Sequence, residues 1–218
     1  MTDFPKTRLN QIKRMPKRGH YDRETIHQIL DEALICHVGF VENNQPYVMP
    51  INFARIGDAI LLHGAQASRL LKYIEAGNPV CVEVTLVDGL VLARSAFNHS
   101  VNYRSIVVFG TGRVVDNNKD KMAALEAITE HLIPGRWREA RLPTQKEMNA
   151  VSVVSIEMDL ASAKVRSGPP IDDTADYAIP IWAGVLPLQE TALAPIRDEL
   201  MTQDIPMPEY VVKYSRKK

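Results

Sequence analysis

The sequence predicts an antiparallel β-barrel decorated by two or three helices. Short apolar runs separated by turn residues recur through most of the chain, and no strand–helix–strand alternation interrupts them. The polar cluster over residues 94–105 leads directly into the β-branched and aromatic run Ile106–Phe109. This order indicates a polar rim that continues into a buried strand, an arrangement typical of the mouth of a small ligand-binding barrel.

Local signals place each element in turn. Asp22 is the predicted N-cap of the first helix, and Gly77 marks the predicted end of the second. Asp88–Gly89 predicts a hairpin turn between two strands. In chain order we expect a helix over 22–33, strands over 34–41, 46–55 and 59–64, a helix over 68–76, strands over 80–87 and 90–93, a long strand over 103–115, helices over 119–132 and 145–150, and a last core strand over 151–158.

Two interruptions of the strand patterns predict special backbone positions. Pro50 lies inside the strand over 46–55, and because proline cannot donate to a strand ladder, it predicts an edge or interrupted strand. Gly110-Thr111-Gly112 lies inside the long strand and predicts a bulge or a close backbone contact. It is not the GxGxxG sequence of a dinucleotide-binding loop.

Composition narrows the function classes. The 26 basic and 26 acidic residues cancel, which argues against a nucleic-acid partner. Uncharged apolar runs fall well short of the ~18 residues that a membrane helix needs, and the N-terminus lacks the apolar segment of a signal peptide. Cys36 and Cys81 form no CxxC, and no metal-ligand spacing is present. The sequence therefore predicts a cytoplasmic protein with reduced thiols, no membrane association and no metal site.

One domain is predicted over residues 1–218, with an appendage at each end. Residues 1–20 form a basic arm, and residues 165–218 form a proline-rich tail that wraps the barrel or a partner subunit. The basic residues at the two ends are either solvated or, at one end, folded over an anionic ligand. They are Lys6, Arg8, Lys13, Arg14, Lys17 and Arg18 in the arm, and Lys213, Arg216, Lys217 and Lys218 in the tail.

The start of the helix over 68–76 carries a signal for phosphate binding. Ser68 is the predicted N-cap, and Arg69 follows it in the first helical turn. A cation is locally unfavourable there, because a helix N-terminus carries about half a positive charge. A bound phosphate would remove that conflict, since the Ser68 hydroxyl and the Arg69 guanidinium could both meet it. The alternative is that Arg69 points into solvent.

Several stretches together resemble one known family. They are ILLHGAQASRLLK at Ile60–Lys72, DGLVLAR at Asp88–Arg94, NYRS at Asn102–Ser105, PGRW at Pro134–Trp137 and the segment Ala163–Leu188. They resemble the pyridoxamine 5′-phosphate oxidase-like split-barrel flavoproteins, in particular the branch that includes the nitroimidazole-resistance proteins. Relatives often carry two adjacent histidines where this chain has Asn98–His99.

The resemblance implies a homodimeric, antiparallel split β-barrel that binds FMN at the subunit interface. It implies an oxidoreductase that transfers a hydride or two electrons through FMN to or from a small organic substrate. Two alternatives stay open: a nitroaromatic (nitroimidazole) reductase and a non-catalytic carrier of flavin or haem. An NADH or NADPH oxidation assay with flavin present would separate an enzyme from a carrier. A further expectation is poor pyridoxamine 5′-phosphate oxidation, because no Arg-Leu-x-Pro ending is present.

The same resemblance implies the site residues. His63 and His99 are the candidate catalytic residues, and the alternative for each is a structural histidine. Trp182 either stacks on the flavin or anchors a loop, and Lys164 and Arg166 are further candidates for pairing with an anion. The predicted cofactor-binding residues are Pro50, Ile51, Asn52, Phe53, His63, Ser68, Arg69, Asn98, His99, Asn102, Tyr103, Arg104, Ser105, Lys164 and Trp182.

Overall fold

Nine strands form one antiparallel sheet in the computed structural model, which describes residues 3–215. The order across the sheet is β1-β8-β6-β7-β4-β3-β2-β5-β9, and an additional pairing between β6 and β5 closes the barrel. The strands are β1 (Gly19–His20), β2 (Ile35–Glu42), β3 (Gln45–Ile56), β4 (Ala59–Ala65), β5 (Pro79–Leu92), β6 (Ser100–Val114), β7 (Val151–Glu157), β8 (Leu160–Arg166) and β9 (Gly184–Pro187).

The barrel is split along β6, because one edge of this strand pairs with two different strands. Its residues Tyr103–Phe109 pair with β8, whereas Gly112–Val114 pair with β7. The other edge of β6 pairs with β5 along nearly its whole length. The predicted antiparallel split-barrel fold is therefore confirmed.

Five helices decorate the barrel within residues 3–215. Asp22 caps α1 by accepting a hydrogen bond from the Thr25 N–H at 2.8 Å, and α1 buries Ile26, Ile29 and Leu30 in the core. The helix α3 packs Ala124 and Ile128 on a second, smaller cluster outside the barrel. The helices are α1 (Arg23–Glu32), α2 (Arg69–Glu75), α3 (Asn118–Leu132), α4 (Gln145–Ala150) and α5 (Glu209–Val212).

Both predictions about interrupted strands agree with the structure. Pro50 lies in the part of β3 that pairs only with β2, because β4 pairs with β3 from Phe53 onward. Gly110 and Gly112 are close backbone contacts: a Cβ on Gly110 would lie 2.2 Å from the backbone oxygen of Glu157. These glycines let β7 and α2 approach β6.

The hairpin predicted at Asp88–Gly89 is wrong. Residues 79–92 form one strand, β5, that pairs with β6 on both sides of a register shift between Val87 and Gly89. Gly89 lets β9 approach β5 at this bulge, because a Cβ there would lie 3.0 Å from the Leu186 oxygen of β9. The prediction also missed β8, and with it the pairing that splits the barrel.

The N-terminal arm is not a solvated extension. Phe4 is buried in the main core, and the buried Asn10 side chain donates to the Ala161 oxygen of β8 at 2.9 Å. Arg216, Lys217 and Lys218 of the predicted C-terminal cluster lie outside the described residues. The tail before them wraps its own barrel in part, since β9 pairs with β5 and the Tyr214 hydroxyl donates to the Leu132 oxygen at 3.0 Å.

The thiols, the helices and the possible metal ligands each bear on a prediction from the sequence. Cys36 and Cys81 are free, and burial raises the pKa of the Cys36 thiol to about 12. Across residues 3–215, none of the helices has the length and apolar character to cross a membrane. In the same part of the chain, no group of three or more His, Cys, Asp and Glu side chains is placed to hold a metal ion.

Candidate functional site

The predicted site residues fall into two groups. The β3 group comprises Pro50, Ile51, Asn52, Phe53, His63, Ser68 and Arg69, on β3, β4 and the start of α2. The rim group comprises Asn98, His99, Asn102, Tyr103, Arg104, Ser105, Lys164 and Trp182, on β6, β8 and the segments beside them.

In the β3 group, Arg69 lies beside the hairpin that joins β2 to β3. Its guanidinium is 3.4 Å from the Glu42 carboxylate and 4.8 Å from the centre of the Tyr47 ring. Ser68 is the N-cap of α2, as predicted, and its hydroxyl accepts from the Leu71 N–H at 3.4 Å. Because the Arg69 side chain is 53 % exposed, it can still accept an anionic ligand from solvent.

His63 carries an unsatisfied polar atom. Its Nδ1 is buried without a hydrogen-bond partner, and burial lowers the pKa of the ring below its ordinary value. The imidazole is therefore neutral near pH 7, with one nitrogen lacking a partner inside residues 3–215. A buried polar atom of this kind is costly unless a ligand or water satisfies it.

The lowered pKa of His63 predicts how the stability of the fold depends on pH. The unfolded ring titrates near ~6.5, above its folded pKa, so the unfolded state binds more protons below that pH. We expect stability to fall as pH drops from 7 to about 5.5, and His63→Gln to reduce that fall. Urea unfolding of both proteins at several pH values measures it. Parallel pH profiles for the two proteins would contradict the prediction.

The other members of the β3 group differ in exposure. Pro50 is exposed, Ile51 and Asn52 are half-buried, and Phe53 is completely buried in the main core. Only the backbone of Phe53 can therefore contact a ligand, because its side chain packs among Leu62 and other core residues.

Beside the rim group, Asp172 joins the tail to the segment that follows β5. Its side chain, which is shielded from solvent, accepts from the Arg94 and Ser95 N–H groups at 3.1 and 3.3 Å and from the Arg94 guanidinium at 3.1 Å. Burial alone would raise the pKa of Asp172, but these hydrogen bonds lower it below its ordinary value. Arg94 also lies 5.0 Å from the Tyr177 ring centre, and its buried Nε has no partner within residues 3–215.

His99 is exposed but its ring is oriented by the backbone. The Ala93 N–H donates to His99 Nδ1 at 2.9 Å. In the neutral ring the proton is then on Nε2, so His99 presents a hydrogen-bond donor to a ligand at the rim. Asn98 lies at the end of the preceding 3₁₀ turn, Ala96–Asn98, and is half-buried.

Arg104 does not fit its predicted role. Its guanidinium is enclosed by the Glu32 and Asp88 carboxylates, with a 2.7 Å contact from Nη2 to Asp88. The hydrogen bonds that Arg104 donates to Glu32 and Asp88 raise the pKa of its guanidinium above the ordinary value. Arg104 therefore holds α1 against the bulge in β5, and its charge is already neutralised for any anionic cofactor.

Strand alternation places three of the remaining rim residues together. Tyr103 pairs with Arg166 and Ser105 pairs with Lys164, so these four side chains share the outer face of β6 and β8. Asn102 is buried and bonds the Arg166 guanidinium and, at 3.1 Å, the Gly168 oxygen. Trp182 is 69 % exposed and lies over Gly184.

The two groups do not meet within one chain. Pro50 is aligned with His37 of β2, which is aligned with Glu83 of β5, which is aligned with Val107 of β6. At about 4.8 Å per strand, this places Pro50 and the outer face of β6 about 14 Å apart. The β3 group and the rim group therefore lie on different parts of one sheet.

Sequence reasoning missed one contributor to the rim, Asp172, and the burial of another residue, Arg166. Asp172 anchors the rim from 78 residues away, in a proline-containing stretch whose sequence gives no local sign of this contact. The sequence predicts Arg166 only as an anion-pairing candidate beside Lys164, and its burial is not visible there. The signal for that burial is the pairing of β8 with β6, which requires the strand that the prediction missed.

The chain is similar to known proteins in both sequence and structure. The sequence profile described as pyridoxamine 5′-phosphate oxidase matches residues 22–165. Among curated proteins, none matches the chain significantly. The flavocytochrome Anf3 from Azotobacter vinelandii is 40 % identical, with a TM-score of 0.91 over 97 % of this chain and 98 % of that one.

Two further solved structures are similar. The FAD and haem binding protein from Mycobacterium smegmatis is 36 % identical, with a TM-score of 0.86 over 89 % of this chain and 96 % of that one. A candidate 5-nitroimidazole antibiotic resistance protein from Bacteroides thetaiotaomicron is 23 % identical, with a TM-score of 0.56 over 67 % of this chain and 86 % of that one. The last likeness shows the fold alone.

The profile match spans about two thirds of the chain, and it coincides with the barrel from α1 to β8. The predicted resemblance is confirmed by the profile and by the first two structures together. The chain belongs to the pyridoxamine 5′-phosphate oxidase family.

Proposed function

We propose that the protein is a redox protein that binds a flavin nucleotide and a haem. The observation that carries this proposal is the 40 % identity to a flavocytochrome over 97 % of the chain. The 36 % identical protein that binds FAD and haem supports it independently. The two separate groups of candidate residues on one sheet are consistent with two ligands.

The β3 group fits a flavin nucleotide. Arg69 offers an exposed guanidinium to a phosphate, and the Tyr47 ring beneath it fixes its position. The part of β3 around Pro50 has one unpaired edge, so backbone groups there are available to a ring. The orphaned His63 Nδ1 is an additional polar atom in need of a partner.

FMN is the flavin that the sequence predicts, whereas FAD is the flavin of the mycobacterial relative. Both contain a phosphate on the ribityl chain, and Arg69 is proposed to bind that shared phosphate. Because the Arg69 side chain is 53 % exposed, we expect it to admit the longer FAD as well as FMN. Titration of flavin-free protein with each nucleotide measures the preference.

The histidines fit a haem unequally. His63 is kept neutral by burial and has a nitrogen without a partner, which suits a ligand to iron. His99 carries its proton on Nε2 while Nδ1 accepts the hydrogen bond from Ala93. To bind iron through Nε2, the ring must either move that proton to Nδ1, which breaks the hydrogen bond, or lose the proton. His63 therefore has the better chemistry for binding iron, but it lies in the β3 group with Arg69, and His99 is the histidine of the rim group.

The chain's own residues would position the ligands and form hydrogen bonds with them. A bound flavin supplies two-electron chemistry, and a bound haem supplies one-electron chemistry. Arg69 would orient the phosphate end, and the neutral His63 would form a hydrogen bond to a ligand through Nδ1. His99 would donate a hydrogen bond at the rim through Nε2. Oxidation of NADH or NADPH in the presence of both cofactors separates an enzyme from a carrier.

We also propose a homodimer. Large apolar side chains are exposed on the outer faces of β2 and β3, and the extended tail between β9 and α5 exposes several more. A second copy of the chain would cover both surfaces. The exposed residues are Ile35, Val41 and Val48 on the strands, and Leu193, Ile196 and Leu200 in the tail.

Sedimentation velocity at micromolar concentration tests the dimer. We expect the wild-type protein to sediment as a dimer and Val48→Glu to sediment as a monomer, because Val48 is 68 % exposed on the outer face of β3. Leu142→Glu is the matched control, since Leu142 is 54 % exposed and lies just before α4, outside β2 and β3. A wild-type monomer at these concentrations would refute the proposal.

A further inference from the structure

Arg166 is a buried cation whose partners are neutral. The residue is 6 % exposed, at the end of β8. Its guanidinium donates to the Asn102 amide oxygen and, at 3.5 Å, to the Pro169 carbonyl oxygen. Within residues 3–215, no carboxylate forms an ion pair with it. A buried charge without a counter-charge is an expensive arrangement.

Four other arginines of this chain that are largely buried are matched by carboxylates. Their side chains are a quarter exposed or less, and each faces an acidic partner. The pairs are Arg23 with Asp58, Arg55 with Asp31, Arg94 with Asp172, and Arg104 with Glu32 and Asp88. The missing carboxylate at Arg166 is therefore a departure from the pattern of the molecule.

A second cation increases the local charge. Arg18 ends the 3₁₀ turn Pro16–Arg18, directly before β1, and β1 pairs with β8 at Gly19 and Lys164. Burial and the nearby Arg18 charge together lower the pKa of Arg166. Neither Arg18 nor Lys164 forms an ion pair with an acidic group in residues 3–215.

The N-terminal arm holds Arg18 in this place. Phe4 is buried in the main core, and the Asn10 amide bonds both the Pro5 and Ala161 oxygens at 2.9 Å. Ile12 packs so closely on Gly19 that a Cβ there would lie 3.0 Å from the Ile12 Cβ. The arm is thus fixed to the barrel, and packing keeps the like charges together.

We propose that Arg166, Arg18 and Lys164 bind the anionic oxygens of a ligand that carries phosphates or paired carboxylates. Guanidinium groups match such oxygens in pairs, and an anion would neutralise the uncompensated charge. Tyr103 and Ser105 lie opposite Arg166 and Lys164 on the same face and add hydroxyl groups. The site includes Lys164 of the rim group and is separate from Arg69. Two kinds of ligand share this chemistry: nucleotides through their phosphates and haem through its propionates. The assignment of the site to one of these two cofactors rests on the proposed function.

Inorganic pyrophosphate tests the site directly. Isothermal titration of the full-length protein should show binding that weakens about tenfold or more in Arg18→Gln and in Arg166→Gln. Arg18 is the decisive variant, because Arg166 is buried and its replacement can impair folding. Arg113→Gln, which removes an exposed charge paired with Glu157, is the matched control and should change the affinity less than twofold. No binding to the wild type, or equal binding to Arg18→Gln and Arg113→Gln, would overturn the proposal.

Pairs of charged and uncharged ligands distinguish nucleotides from haem. If the site binds propionates, Arg18→Gln should weaken the binding of haemin but not that of haemin dimethyl ester. If it binds phosphates, Arg18→Gln should weaken the binding of FAD but not that of riboflavin. Equal weakening of the charged and uncharged forms would overturn the proposal, because it would show a structural effect. Binding of FAD and haemin by the wild-type protein in the same titrations tests the proposed function separately.

Discussion

Replacing Gly110 with alanine should destabilise the protein by about 3 kcal/mol or more. The new Cβ would lie 2.2 Å from the Glu157 backbone oxygen and 3.3 Å from the Ile156 side chain. Neither neighbour can move easily, since Glu157 ends β7 and Ile156 is fully buried. A loss of this size is a large fraction of the roughly 5–15 kcal/mol by which domains are stable.

Gly39→Ala provides the matched control. Gly39 is also a strand glycine, but a Cβ added there would lie at an ordinary 3.6 Å from its nearest neighbour, the Cys81 oxygen. Urea unfolding at a fixed protein concentration should show a large drop in midpoint for Gly110→Ala and little change for Gly39→Ala. Equal midpoints for the two variants would mean that β6 and β7 do not approach each other as described.

The sequence predicted the parts of the fold that local chemistry determines. Asp22 capping α1 and Gly77 ending α2 need only neighbouring residues, and α4 was predicted at the residues observed. The strand β8 escaped prediction because its buried positions include Ala161 and Ala163, which give no strong apolar alternation. The local signal at Asp88–Gly89 was misleading, since pairing with β6 over residues distant in sequence turns it into a bulge.

The candidate site was predictable in composition but not in the pairing of its side chains. The sequence identified the polar cluster that became the rim, and Ser68 as a cap. It could not show that Arg104 is neutralised by Glu32, 72 residues away, or that Asp172 supports Arg94. Such pairings depend on tertiary contacts, so residue type alone could not distinguish Arg104 from Arg166. In the structure Arg104 faces two carboxylates, whereas Arg166 faces none within residues 3–215.

Replacing Arg69 with alanine should weaken the binding of FMN and FAD by about 10- to 150-fold. Losing a hydrogen bond between two charged groups costs roughly 1.5–3 kcal/mol, and each 1.4 kcal/mol is tenfold in affinity. We expect the lower part of this range, because Arg69 is half exposed and shares its charge with Glu42. Equilibrium titrations of flavin-free wild type and variant measure the ratio.

Riboflavin and Lys72→Ala serve as controls for the Arg69 prediction. Riboflavin has no phosphate, so its affinity should be the same in wild type and Arg69→Ala. Lys72 is an exposed cation in the last turn of α2 and should tolerate replacement without an effect on either flavin nucleotide. If riboflavin binding falls as much as FMN binding, Arg69 stabilises the structure and does not bind phosphate.

The visible absorption spectrum tests the central claim, that this chain is a two-cofactor redox protein. The full-length protein is purified, incubated with excess FAD and haemin, and separated from unbound cofactor by gel filtration. We expect flavin bands and a Soret band in the protein fraction, each at a stoichiometry close to one per chain. A protein fraction that shows neither set of bands would contradict the proposed function, and flavin bands without a Soret band would refute the haem half of it.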